Sequence, residues 1–512
     1  MKNRIYNFLI VAVVVVTTFS CTDNFDEINT NEVDPTAESI DPIFLLNDAI
    51  IRLSFSNTNL IYDLGIVQQV VSPNSGVLTG ANYNQENPQF AALHWERLYR
   101  DGVIKNTGDI LGQLDAEDAP DRPNLRNMTR LVQATAFMIL TDEYGDIPYF
   151  EAGKGITEQI VLPKYDAQEV IYTDLFKEVK EATAAFSESA AAEPGEVMYS
   201  GDLDKWRRYG NSLLLRLAMR LTEVDLALAE QTVAEAFAGG LMESNDDNFV
   251  VRHDNNFVNS AGSTLNGSEA NNFYLVDSFV NYLKDTNDPR LGALAIRYVG
   301  AGSGPDQTQE AGVKDPAVQM GMPMGFDNGS IVAQASADGL ASFYDYTQID
   351  RFLVAKQAAP MFILTHAQTQ LLLAEAAERG WVSGDAAEYY EAGIRAHMQL
   401  MAQYDPLITI PEADIDAYLA TNPYDAANAL EQINNQYWVA SFLNGPEAFA
   451  NFRRSGFPVL TKNPYPAQDI TGDFINRLVY PTDELATNSE NLSEATFRMG
   501  PDNLDTKVWW DQ

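Results

Sequence analysis

Apolar residues recur at intervals of three and four along most of the chain, the spacing that gathers them on one face of an α-helix. Met128, Leu131, Val132, Thr135 and Ile139 form one such stripe. Ile171, Leu175, Val179, Ala182 and Phe186 form a second, opened by Asp166 and Glu169, carboxylates suited to accept from the free amides of a first turn. Trp206, Tyr209, Leu213, Leu217 and Leu221 form a third, with Asp204 as its cap. A fourth runs through Ile363, Ala367, Leu371 and Ala374 to a stop at Gly380, and a second helix begins near Asp385 with Tyr389, Tyr390, Gly393, Ile394 and His397. The small residues Ala376, Ala377 and Gly393 would let these two helices cross closely, which makes the pair similar to a tetratricopeptide unit. No clean period of about 34 residues repeats, so the expected fold is mainly all-α: tetratricopeptide-like helix pairs in an α-solenoid scaffold with irregular decoration.

The decoration is expected between about residues 245 and 360. Gly, Asn, Ser and Pro cluster there at 255–272, 300–304 and 321–329, with few helical patterns between them. Loops of that length inside a domain usually carry function, so this region is where a binding surface is expected. Residues 41–512 then form one helical domain with that region inserted.

The first 40 residues follow different rules. Lys2 and Arg4 precede an apolar run from Phe8 to Val16, then Thr17, Thr18, Phe19 and Ser20 lead to Cys21, the one cysteine of the chain. A run this short cannot cross the roughly 30 Å hydrocarbon layer of a bilayer, so residues 1–20 read as a signal segment and not as a membrane anchor. A small residue directly before a lone cysteine resembles a bacterial lipoprotein signal, although Thr18 stands where such signals usually carry Leu. Cleavage would leave Cys21 as a lipidated first residue. Residues 21–40, polar and acidic without an apolar face, then form a tether.

Composition narrows the classes of function. The chain has 512 residues, 46% apolar and 21% charged, enough to bury a large core. Its 72 acids against 33 bases give a net charge of −39, which repels phosphate backbones, so nucleic acid is excluded as a partner. With its only cysteine in the signal region, the chain offers no thiol nucleophile and no iron–sulfur site. His94, His253, His366 and His397 lie far apart without metal-ligand spacing, so neither a metal nor any other cofactor is expected. The 300–304 glycine cluster lacks the Lys-Ser/Thr of a phosphate loop and is followed by Pro305-Asp306, so it reads as a turn. Asp285, Thr286, Asn287 and Asp288 carry oxygens suited to calcium, but Pro289-Arg290-Leu291 after them favours a capped turn. No catalytic residue is assigned. Glycoside hydrolysis needs two carboxyls roughly 5–10 Å apart, a distance that spacing along a helical chain does not reveal.

Aromatic residues in polar, loop-like surroundings are the binding candidates, because their flat faces stack on sugars or side chains and Tyr adds a hydroxyl. These are Tyr83 among Asn82, Asn84, Gln85 and Asn87; Phe273 and Tyr274 after Asn271-Asn272; and Tyr344 and Tyr346 within Phe343-Tyr344-Asp345-Tyr346. Trp95, Tyr99, Trp206, Tyr389 and Tyr390 fall at helical spacing and are expected in the core.

Taken in order, several short stretches resemble the SusD/RagB-like outer-membrane nutrient-binding lipoproteins, in particular the SusD-like starch-associated branch. They are Phe25-Asp26-Glu27-Ile28-Asn29-Thr30-Asn31 after the anchor, Tyr144-Gly145-Asp146-Ile147-Pro148-Tyr149, Lys205-Trp206, Arg216 to Arg220, Asp288-Pro289-Arg290-Leu291, Arg453 to Pro458 and the closing Lys507-Val508-Trp509-Trp510-Asp511. The resemblance implies a lid on the outer face of the outer membrane above a SusC-like TonB-dependent transporter. It would capture oligosaccharides, or in some systems peptides, without catalysis. Ile147-Pro148 would stop a helix, while Arg216, Arg220, Arg453 and Arg454 would pair with buried carboxylates. Two rival readings stay open, a surface-attached glycoside hydrolase and a tetratricopeptide-like scaffold lipoprotein.

Overall fold

Three-and-four spacing does produce helices here, and side-chain caps set where they begin. The structure, a computed structural model, describes residues 40–116, 121–155 and 158–511. The expected signal segment, Cys21 and the tether up to residue 39 lie outside these. Asp41 caps the helix Pro42–Arg52 by accepting from Ile43 N at 3.0 Å. Asp202, two residues before the expected cap, caps Leu203–Met219 through Asp204 N and Lys205 N. Asp166 is not the cap of Gln168–Ala184: it pairs in a short strand, and its carboxylate accepts from Tyr149 N and Phe150 N, while Asp146 takes the amide of Gln168 at 3.0 Å. Ile363 likewise belongs to a strand, Met361–Leu364. The helix behind it starts at His366, where Thr365 and Gln368 form a reciprocal capping box.

Successive helices pack side by side, as the helix-pair expectation requires. Pro42–Arg52, Val103–Leu114, Pro123–Tyr144, Gln168–Ala184, Leu203–Met219 and Leu226–Gly239 form one array, each against the next. His366–Glu378 and Ala386–Tyr404 form the closest pair, which Ala429–Ala440 and Gly445–Ser455 extend. Gly393 makes that closeness possible: a Cβ there would stand 2.7 Å from Leu371 Cγ and 3.1 Å from Ala367 O. The helix Gly445–Ser455 also packs against Pro123–Tyr144, joining the later helices to the first array. One continuous apolar core runs from Ile43 to Trp510.

Arginines that sequence placed one turn apart are inside this core. Arg220 reaches Glu447 at 2.6 Å and Asp142 at 3.2 Å, and Arg216 meets Glu447 at 3.2 Å. Arg454 holds Glu375 through both guanidinium nitrogens at 2.8 Å. Arg453 departs from the expected pairing. It donates to the carbonyls of Asp142 and Asn476 and lies over the rings of Phe449 and Trp510. Asp288 is likewise a structural turn residue, its carboxylate accepting from Arg290 N and Nε at 2.9 Å.

The 245–360 stretch folds into short helices, 3₁₀ turns and strands of two or three residues. Val70–Val71 pairs with Tyr274–Leu275, and Ala295–Ile296 with Gln348–Ile349, both antiparallel. Among the described residues no helix is long and apolar enough to cross a membrane.

Candidate functional site

These strand pairings bring together three stretches that are distant in sequence. The pairing of 70–71 with 274–275 sets the loop 72–87 beside the inserted region. Asn463 Nδ2 donates to Ala81 O and Asn82 O at 3.2 and 3.0 Å, and Asp469 N to Asn84 O at 3.0 Å, which adds the segment 463–469. Gly325, at φ +82°, lets the insertion approach that segment, since a Cβ there would lie 2.7 Å from Pro464 Cγ.

Four of the five aromatic candidates lie beneath this junction and not on it. Tyr83, Tyr274 and Tyr346 are fully buried and Phe273 is 3% exposed. Their surroundings looked polar because each hydroxyl needs a partner: Tyr83 Oη donates to Pro73 O at 2.7 Å, Tyr274 Oη to Asn271 O at 2.7 Å and Tyr346 Oη to Asp338 at 2.5 Å. A ring without an open face cannot stack on a ligand, so the expected platform is corrected at these positions. Tyr344 alone of the five is half-buried, with one part packed on Ile296, Tyr298 and Ala301.

The rings that do meet water rest on those buried ones. Tyr465 packs 4.5 Å from Tyr83, Phe326 and Phe343 pack on the cluster containing Tyr274 and Tyr346, and Phe343 lies 4.2 Å from Tyr344. Tyr465, Phe326, Phe343 and Tyr344 are all half-buried and pack over buried aromatic residues, which makes them together the candidate aromatic strip. Fixed amides accompany it. Gln468 Nε2 donates to Tyr465 O and Gln307 Nε2 to Tyr344 O, at 2.7 and 2.8 Å. Phe343 was visible beside Tyr344 in the sequence. Tyr465 was missed, and the Asn463-Pro464-Tyr465-Pro466 turn that presents it was the available signal.

The acids near the strip already have partners. Asp345 receives Arg297 Nε at 3.0 Å, Asp338 receives the Tyr346 hydroxyl, and Asp327 caps the turn at Gly329 and Ser330. Apolar faces with a few fixed polar groups are the composition of a ligand-binding surface. A separate cleft of about 640 Å³ opens on the helix pairs between Trp95, Tyr99, Pro148 and Val161.

Comparison with known proteins fits this architecture. The family described as "Starch-binding associating with outer membrane" matches residues 34–481. The chain belongs to this SusD-like family. A solved structure described as a chitin-binding protein is 31% identical, with a TM-score of 0.81 over 92% of this chain and 100% of that one. A SusD-like protein from Bacteroidetes is 26% identical over the same shares, with a TM-score of 0.80. A SusD homologue from Bacteroides fragilis shares the fold at 24% identity and a TM-score of 0.75, again over 92% and 100% of the two chains. Among curated proteins none matches the chain at a significant level. The SusD-like fold is therefore mainly helical, as the hydrophobic spacing implied, and the family name associates it with the outer membrane.

Proposed function

We propose that this SusD-like chain captures a glycan on the aromatic strip Tyr465, Phe326, Phe343 and Tyr344 and passes it to a SusC-like TonB-dependent transporter, with no bond made or broken. The observation that carries this reading is the strip itself, four half-open rings seated on buried ones beside acids that are already engaged. Pre-positioned rings lose little conformational freedom when a sugar face settles on them, which favours binding. The 31% identical relative described as chitin-binding makes oligomers of N-acetylglucosamine the first ligands to test, with malto-oligosaccharides second. Lipidation of Cys21, followed by the 21–40 tether, would hold the protein at the outer membrane.

Titration calorimetry with chito- and malto-oligosaccharides and a peptide panel, run beside a product assay, tests the reading. Binding heat with intact ligand supports it. Released product would establish the hydrolase instead, and a tight protein complex without any small-ligand heat would establish the scaffold. Cys21→Ser is expected to move the protein from the membrane fraction to the soluble one.

A further inference from the structure

Buried carboxylates in this protein are mostly met by a cation or, like Glu196, by several N–H donors. Asp142, Glu375, Glu447 and Asp288 each meet a guanidinium within 3.2 Å. Asp63 and Glu143 are just as inaccessible, and no arginine or lysine among the described residues forms an ion pair with either. Their neighbour is His94, whose Nδ1 stands 2.8 Å from Glu143 Oε1 and 3.8 Å from Asp63 Oδ2. Three helical segments supply the three residues: Asp63 ends the π-helical turn Asn59–Asp63, His94 lies in Pro88–Tyr99 and Glu143 is the penultimate residue of Pro123–Tyr144.

Apart from the contact between His94 Nδ1 and Glu143 Oε1, the carboxylate oxygens of this cluster are left unpartnered. Among the described residues both Asp63 oxygens and Glu143 Oε2 have no hydrogen-bond partner, although all are buried. The two guanidiniums nearest in charge are committed elsewhere. Arg97 donates to Ser54 O at 2.8 Å, and Arg453 gives its donors to the Asp142 and Asn476 carbonyls. Two carboxylates in one dry site, with no cation between them, carry a desolvation cost and a mutual repulsion that the charge of Arg453 offsets only in part. Burial first, and the Glu143 charge second, push Asp63 well above the usual carboxylate range.

One donor atom from each residue lies within 4.8 Å of the others. Around an ion with bonds of about 2.0–2.2 Å, such donors sit roughly 3–4 Å apart, so this spacing closes on an ion after small side-chain shifts. One imidazole nitrogen with two carboxylate oxygens suits a first-row divalent cation of the zinc or manganese type. π-helical turns also occur frequently at functional positions. We propose that Asp63, His94 and Glu143 bind one such ion, which fastens the segment 59–66 to the helices 88–99 and 123–144. Sites built in a helix bundle from facing side chains follow this plan. The ion has a structural role, away from the aromatic strip.

The test uses the full chain produced in minimal medium with either zinc or manganese, purified without chelator and then washed with EDTA to strip ions from the acidic surface. Elemental analysis is expected to find about one ion per chain in the wild type and a loss of at least tenfold in Asp63→Asn and in Glu143→Gln. Metal-loaded protein is expected to melt about 4 °C above protein produced without the ion. A wild type that keeps less than a tenth of an equivalent of both metals, with unmoved melting, overturns the proposal and leaves a proton-sharing cluster. Ion retained equally in both variants also overturns it. The wild-type stoichiometry decides the matter even if a variant does not fold.

Discussion

The helix pairs and the inserted 245–360 region both bury paired charges, but they differ in how they layer their aromatic side chains. In the helix pairs, charge goes inside: Arg216, Arg220 and Arg454 are almost wholly buried and are held by Glu447, Asp142 and Glu375. In the insertion charge is buried as well, with Arg290 on Asp288 and Arg297 on Asp345, but rings come partly out, with Tyr344, Phe343 and Phe326 half-buried above Tyr274 and Tyr346. A buried ion pair fixes how helices meet, because removing one partner strands the other in a dry interior. A half-exposed ring on a buried floor keeps its position and still has a free face. The difference separates residues that hold the molecule together from residues available to a ligand.

Breaking the first region should cost stability and little else. Arg220→Met leaves Glu447 and Asp142 short of a partner, and an expected loss of about 3–5 kcal/mol should appear in denaturant melts while any folded fraction keeps its glycan affinity. Tyr274→Ala should behave in the same way despite its place in the insertion, since emptying a fully buried aromatic site costs about 3–5 kcal/mol. Acid sharpens the contrast. Burial alone would raise Glu375, but Arg454 and Arg379 more than reverse this and hold it at about 2. Its stabilising effect is therefore complete above the ordinary value of 4.5 and is lost as pH falls toward 2, by roughly 3 kcal/mol. Stability measured from pH 6 to 2.5 in wild type and Glu375→Gln should converge at the acid end.

Breaking the second region should do the reverse. Tyr344→Ala or Phe326→Ala is expected to weaken glycan binding about tenfold or more in calorimetry, with the melting temperature changed little. Arg395→Ala marks the lower limit: its partners Glu412 and Asp416 are exposed, and such pairs contribute at most about 1 kcal/mol. Equal losses of stability for Tyr344→Ala and Tyr274→Ala would erase the distinction between platform and floor.

Much of the scaffold was legible in local patterns. The stripe Leu213, Leu217 and Leu221, the stop at Gly380 and the crossing at Gly393 each state their consequence within one or two turns, because helix periodicity and backbone freedom are short-range properties. The arginine positions were legible too, but only in part. Arg216, Arg220 and Arg454 found carboxylates, whereas Arg453 found carbonyls and rings. The site was harder. Polar neighbours marked Tyr83, Tyr274 and Tyr346 as loop residues, but a buried hydroxyl also requires polar company, so composition could not separate floor from surface.

By itself, then, the sequence determined a helical, paired, strongly acidic scaffold of SusD-like type with one long irregular insertion, since periodicity, caps and charge are properties of neighbouring residues. Only the tertiary structure decided which rings face water, which acids receive an arginine, and that His94 meets Asp63 and Glu143. Those outcomes depend on contacts between residues 30 to nearly 400 positions apart, such as Tyr83 with Tyr465, and on how much solvent the intervening packing removes.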